Sequence, residues 1–180
     1  MKNVMNTMKN IMHNIVKKLG VSNYLWLASF VLTFVGIILY ASNITVAGYF
    51  YAASVTEVAV CGSLALILAL VLALKPLLEI KNEKIDLIVN FALDVLKVVV
   101  CVFLFMSMME LINNRAEGIA YILFPNDDVA VTVAKYKPDV YVAISSAVMF
   151  GVSGIVSIVA SFFGLGRKQK VEQEQKALEA

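Results

Sequence analysis

Four long apolar stretches constrain the fold of this chain more than any other feature of its sequence. A transmembrane helix needs about 20 consecutive, mostly apolar residues, and stretches of about that length cover residues 24–41, 55–74, 87–111 and 140–163. Hydrophobic residues make up 61% of the chain and charged residues only 16%. A soluble domain of 180 residues cannot bury that much apolar surface. The sequence therefore predicts an all-α membrane protein, a four-transmembrane-helix bundle.

The distribution of lysine and arginine predicts how the bundle is oriented. Cytoplasmic segments of membrane proteins are enriched in these residues. The first predicted outer segment, 42–54, has none. The leading segment, the connection after the second span and the tail carry Lys2, Lys9, Lys17, Lys18, Lys75, Lys81, Lys84, Arg167, Lys168, Lys170 and Lys176. Both termini are therefore predicted to be cytoplasmic. Lysine outnumbers arginine thirteen to two, a bias typical of AT-rich bacterial genomes, so the expected location is a bacterial inner (cytoplasmic) membrane.

The sequence divides into three regions. Residues 1–20 place apolar side chains on one helical face and lysines and asparagines on the other, which predicts an amphipathic interfacial helix on the cytoplasmic leaflet. A helix that packs into a partner's groove is the alternative. Residues 21–166 are the predicted four-span membrane domain, and residues 167–180 a polar cytoplasmic tail.

The two predicted outer segments, residues 42–54 and 113–139, are unusually apolar for exposed loops. We expect them to pack together as a small extracytoplasmic cap. Within the second segment, residues 129–134 alternate like a strand, although a short helix opened by Asp127 or Asp128 fits equally well.

The third span carries polar residues into an apolar run. Together with residues upstream they form one helical stripe, at steps of three or four: Glu79, Glu83, Asp86, Asn90, Asp94 and Lys97. If the inner boundary lies near Asn90, then Asp94 lies roughly 6 Å and Lys97 roughly 10 Å inside the apolar layer. Counting from the connecting loop places Cys61, Gly62 and Ala65 of the second span level with Asp94 and Lys97.

Two interpretations of Asn90, Asp94 and Lys97 remain open. Lysine can extend back along the helix to the membrane surface and pair with Asp94, in which case the stripe has no chemical role. Alternatively, ionisable groups inside a membrane line a path for an ion, a proton or a substrate. Such a path would need an oligomer, because four helices enclose little space.

Two further sets of residues stand out. Glu57, Glu110 and Arg115 form a predicted charge cluster at the outer face, where we expect Arg115 to pair with one glutamate and anchor the loops. The fourth span has two rows of small residues that allow close helix packing. One row is the predicted helix-packing interface, and the other consists of serines: Ala143, Ala147, Gly151, Gly154; Ser153, Ser157, Ser161. Two rows suggest that one faces another subunit.

The predicted function is reached by excluding other classes of protein. A net charge of +2 gives no electrostatic footprint for nucleic acid. The sequence contains no recognisable nucleophile–base pair, metal-ligand spacing or phosphate loop, so we expect no catalytic residue, no cofactor and no metal. The predicted function is a non-catalytic accessory or scaffold subunit that contacts the lipid bilayer and binds other membrane proteins or itself. The alternative is a small oligomeric transporter or channel that uses Asn90, Asp94 and Lys97, and a membrane enzyme with polar groups at the outer rim ranks third.

Overall fold

A computed structural model describes residues 20–75, 83–126 and 128–163. These residues form five α-helices: α1 (Val21–Thr45), α2 (Thr56–Leu74), α3 (Glu83–Leu123), α4 (Ala130–Val133) and α5 (Lys137–Phe162). A single 3-10 turn, Ala134–Tyr136, joins α4 to α5. No strand occurs in the described residues, so the segment that alternates like a strand is helical. The predicted amphipathic helix at 1–20 and the polar tail at 167–180 lie outside the described residues, apart from Gly20.

Helices α1, α2, α3 and α5 are each long and apolar enough to cross a membrane, the last together with the turn that precedes it. For the described residues, the prediction of an all-helical structure with four helices able to cross a membrane is therefore confirmed. Helix α2 has 19 residues, about 28 Å at 1.5 Å per residue, which matches a hydrocarbon layer of about 30 Å.

The four spanning helices pack as an antiparallel ring. We call the end of the bundle where α1 begins the proximal end, and the opposite end the distal end. Hydrogen bonds join α1 to α5 from Ser22–Ala160 at the proximal end to Asn43–Asp139 at the distal end. Since residue numbers rise along α1 as they fall along α5, the two helices are antiparallel.

The same test orders the other neighbours in the ring. Asn23 donates to the Ala73 carbonyl, so α2 runs antiparallel beside α1. Lys75 contacts Asn90 on α3. Phe105 of α3 lies against Gly154 of α5. The order around the bundle is therefore α1, α2, α3, α5, with α1 and α5 closing the ring.

Apolar side chains from all four helices fill the space inside the ring. The largest of these fully buried side chains are Trp26, Phe150, Leu72, Leu104 and Leu111. The alanines of α2 contribute small buried surfaces that let the helices approach closely.

Helix α3 is much longer than the predicted third span. It has 41 residues, about 60 Å, and continues to Leu123, whereas the sequence predicted an end near Leu111 followed by a loop. Ile119, Ile122 and Leu123 belong to a distal apolar cluster with Phe50 and Val140. Because that cluster buries one face of the extra turns, the segment stays helical beyond the length that a membrane requires.

Candidate functional site

The proximal half of the polar stripe joins α2 to α3. The Lys75 ammonium donates to Asn90 Oδ1 at 2.6 Å, and Asn90 Nδ2 donates to Asp86 Oδ2 at 2.9 Å. Lys75 caps the end of α2. This chain of hydrogen bonds therefore joins the proximal end of α2 to α3.

Asp94 and Lys97 form an ion pair one turn further along α3. Lys97 Nζ lies 2.6 Å from Asp94 Oδ1. The two partners differ sharply in exposure, since Lys97 as a residue is 6% exposed and the Asp94 side chain is 68% exposed. The ammonium is thus held inside the bundle, while the carboxylate lies on its outer surface. The ammonium of Lys97 thus reaches back to a carboxylate one turn nearer the proximal end.

The sequence placed Cys61, Gly62 and Ala65 level with Asp94 and Lys97. Gly62 lies closer to the level of Met108, because its neighbour on α5 is Phe150 and the adjacent Gly151 lies against Met108. Gly62 packs against Phe150 of α5, because an added Cβ would lie 3.4 Å from that ring.

The expected outer cluster is not held together by charge. Arg115 is 3% exposed, and its guanidinium donates to the Ala53 carbonyl and lies 4.5 Å from the centre of the Phe50 ring. Glu57 is exposed and Glu110 half-buried, and neither forms an ion pair with Arg115. The expected pairing with a glutamate is wrong, because the loop carbonyl and the aromatic face occupy the guanidinium instead.

A second polar contact holds the distal segment 46–55, and sequence reasoning missed it. Asp139, near the start of α5, accepts a hydrogen bond from the Tyr49 amide at 2.7 Å through Oδ2, and one from Asn43 Nδ2 at 2.9 Å through its carbonyl. The amide nitrogen of the buried Asn43 is therefore bound within the bundle, whereas its Oδ1 has no hydrogen-bond partner among the described residues. Tyr40 also reaches the segment, since its hydroxyl donates to the Val55 carbonyl at 3.0 Å.

The small residues of α5 lie inside the bundle. Ala143, Ala147, Gly151 and Gly154 are buried. A Cβ at Gly151 would lie 2.7 Å from Met108 Sδ, and one at Gly154 would lie 3.0 Å from the Phe105 ring. This row therefore packs against α3. The serine row packs against α1, so the expectation that one row is free for another subunit is wrong.

A buried hydroxyl network joins α1 to the serine row of α5. Ser29 Oγ lies 2.8 Å from Ser153 Oγ and 2.7 Å from Ser157 Oγ. Thr33 Oγ1 lies 2.7 Å from Ser153 Oγ. Sequence reasoning missed the α1 partners, although a signal was present. Apart from Asn23, the buried residues of α1 recur at alternating steps of four and three: Ser22, Trp26, Ser29, Thr33, Gly36, Tyr40 and Asn43.

The two buried charged residues of α3 are separated by apolar packing. Lys97 and Arg115 are the buried charged residues of the described part of the chain, and they lie about 27 Å apart along the helix. No group of three potential metal ligands occurs among the described residues. Comparison with family models, with curated proteins and with solved structures finds no match.

Proposed function

We propose that this protein is a non-catalytic subunit of a membrane complex, one that binds other membrane proteins through its outer surface. The observation that carries the proposal is the packing inside the ring. Trp26, Phe150 and Leu104 are fully buried between the helices, and a filled apolar interior offers no passage for a polar solute. The Asp94 carboxylate, in contrast, lies on the outer surface of α3. This carboxylate is thus available to a neighbouring protein.

The orientation forms part of the same proposal. Both termini are cytoplasmic in a bacterial inner membrane, so the proximal end faces the cytoplasm. The distal segment 46–55 and residues 124–126 and 128–136 then form an extracytoplasmic cap. The contacts of Phe50 with Arg115 and with the apolar cluster of α3 and α5 support this cap. Residues 1–20 are an interfacial helix in this proposal.

Purification from the native membrane tests the proposed function. The full-length protein, tagged at its C-terminus, is extracted in a mild detergent, and its molar ratio to co-purifying proteins is measured. We expect one integral membrane protein at a fixed stoichiometry through two successive columns. A monodisperse species that contains this chain alone, in several detergents and also after extraction into native lipid discs, would contradict the proposal.

An oligomeric transporter or channel is the second candidate function, and the exposure of Asp94 favours it over a pore through one bundle. If several copies assembled around the outer surface of α3, Asp94 would line the space between subunits, with Lys97 behind it as its counter-ion. In that case Lys97→Met would abolish proton or solute uptake by proteoliposomes. Unchanged flux in Lys97→Met, or no flux in the unmodified protein, would exclude this function.

A further inference from the structure

We propose that the distal end of the bundle contains an anion site centred on the Arg115 guanidinium, that its ligand is a carboxylate, and that residues 52–54, which we call the cover, move aside to admit it. Three features of the distal end support this site: an unpaired charge, a thin cover and a strained backbone within the cover. The inference goes beyond the proposed function and does not depend on it.

The charge of Arg115 is not balanced within the described part of the chain. The residue is 3% exposed, and none of the described carboxylates forms an ion pair with it. Its guanidinium donates to the Ala53 carbonyl, and its Nε is buried without a hydrogen-bond partner among the described residues. A buried cation is strongly unfavourable unless an anion offsets its charge. The guanidinium therefore has both the charge and the free donor that an anion requires.

The cover over the guanidinium is thin and strained. Ala52, Ala53 and Ser54 are all exposed and have small side chains, so little more than their backbone separates the guanidinium from the distal surface. Ala52 has a φ of 57°, a left-handed conformation that its Cβ disfavours. Because displacement of the cover relieves this strain, it costs less free energy than displacement of a relaxed loop.

The residues on either side of the cover are held more firmly. Phe50 is buried in the distal apolar cluster. The Val55 amide donates to the Tyr40 hydroxyl, which in turn donates to the Val55 carbonyl. Besides its contact with Arg115, the cover has one hydrogen bond to another described element, from the Ala52 amide to the Ile44 carbonyl at 2.9 Å. Movement can therefore be confined to the cover.

Charge and shape decide which anion fits. A monoanion makes the buried site neutral, whereas a phosphate dianion would leave a net negative charge there, which is costly. A guanidinium and a carboxylate form two parallel hydrogen bonds, an arrangement that a single halide ion does not offer. The carboxylate would take the place of the Ala53 carbonyl on Arg115, and the Phe50 ring would keep its contact with the guanidinium.

Binding of acetate to the purified, full-length protein tests the inference. Acetate replaces chloride at constant pH and ionic strength in an uncharged detergent, and binding is followed by saturation-transfer NMR of the acetate methyl protons and by thermal unfolding. We expect saturable binding and a rise in the unfolding temperature. Arg115→Met should abolish both effects. The matched control, Lys135→Met, should retain both, because it removes an exposed cation and leaves Arg115 in place.

Ala52→Gly tests the movement of the cover in a variant that we expect to be more stable than the unmodified protein. Glycine relieves the strain of the covered form, so opening becomes less favourable. The affinity for acetate should therefore fall by about 2- to 5-fold. This variant leaves the guanidinium unchanged, so it tests the inference even if Arg115→Met fails to fold. An unchanged or higher affinity in Ala52→Gly would overturn the proposed cover.

Two sources can supply the carboxylate, a free small acid or an Asp or Glu side chain of a partner. If a partner co-purifies with Lys135→Met but not with Arg115→Met, the carboxylate belongs to that partner. If it co-purifies with both, the ligand is a free acid.

Two results would overturn the anion site itself. They are the absence of saturable acetate binding to the unmodified protein, and acetate binding by Arg115→Met that equals that of the unmodified protein. If acetate binds as described but no partner co-purifies, the anion site stands and the proposed function fails. If a stoichiometric partner co-purifies but acetate does not bind, the proposed function stands and the anion site fails.

Discussion

The Ser29 hydroxyl is the most informative single group for the packing of α1 against α5. Ser29 is fully buried, and its Oγ lies within 2.8 Å of two serine hydroxyls of α5, those of Ser153 and Ser157. Hydrogen bonds between membrane helices contribute about 0.6 kcal/mol on average and at most about 1.7 kcal/mol. Since Ser29→Ala removes two of them and leaves almost no cavity, we expect a loss of about 1–2 kcal/mol in the free energy of unfolding.

Reversible unfolding of the full-length protein in mixed micelles, with increasing amounts of SDS, measures this loss. Ser145→Ala is the matched control, because Ser145 is exposed on α5 and should change the stability by less than about 0.5 kcal/mol. A double-mutant cycle of Ser29→Ala and Ser157→Ala should give a coupling energy of about 0.5–1 kcal/mol. A Ser29→Ala cost no larger than that of Ser145→Ala, or a coupling energy near zero, would refute the described interface.

Three further predictions concern the distal segment 46–55 and use the same unfolding assay. Phe50→Leu should lower the free energy of unfolding by about 1 kcal/mol, because it removes the aromatic face under Arg115. An equal loss in an Arg115→Met background would refute the cation–π contact. Gly118→Ala should lower the free energy of unfolding by about 1–3 kcal/mol, since its Cβ would lie 2.8 Å from the Phe50 ring. The control, Ala120→Leu at an exposed site of the same helix, should change it little. If the two variants are equally stable, the segment does not pack there. Ala52→Gly should stabilise the protein by about 0.5–1 kcal/mol, because Ala52 has a φ of 57°, where a Cβ is strained; destabilisation would show that this backbone conformation is wrong.

The four spans could be predicted because hydropathy and length alone decide them. The second prediction, 55–74, differs from Thr56–Leu74 by a single residue. The stripe on α3 could also be predicted, since helical spacing fixes which residues share a face. The spacing of residues on one helix does not show how far that helix continues. The end of α3 at Leu123 depends on Phe50 and Val140, which come from other parts of the chain.

The direction of each polar side chain could not be predicted either. Asp94 and Lys97 are three residues apart, yet one faces outwards and the other is buried. That difference depends on the position of the neighbouring helices around α3. The partners of Arg115 were mispredicted because opposite charges were paired by sequence position alone. In the structure, the guanidinium contacts the Ala53 carbonyl and the Phe50 ring instead. Both groups are uncharged, so pairing by opposite charge could not predict them.

The account depends most on a filled interior that water does not enter. Single cysteines in a background without Cys61 and Cys101 test this directly, by their rate of labelling with a small, charged, membrane-impermeant thiol reagent applied to either side of the membrane. We predict that Ala65→Cys and Ala69→Cys, both fully buried between the helices, remain unlabelled from both sides. Rapid labelling of either position would contradict the account, because it would require a water-filled passage through the centre of the bundle.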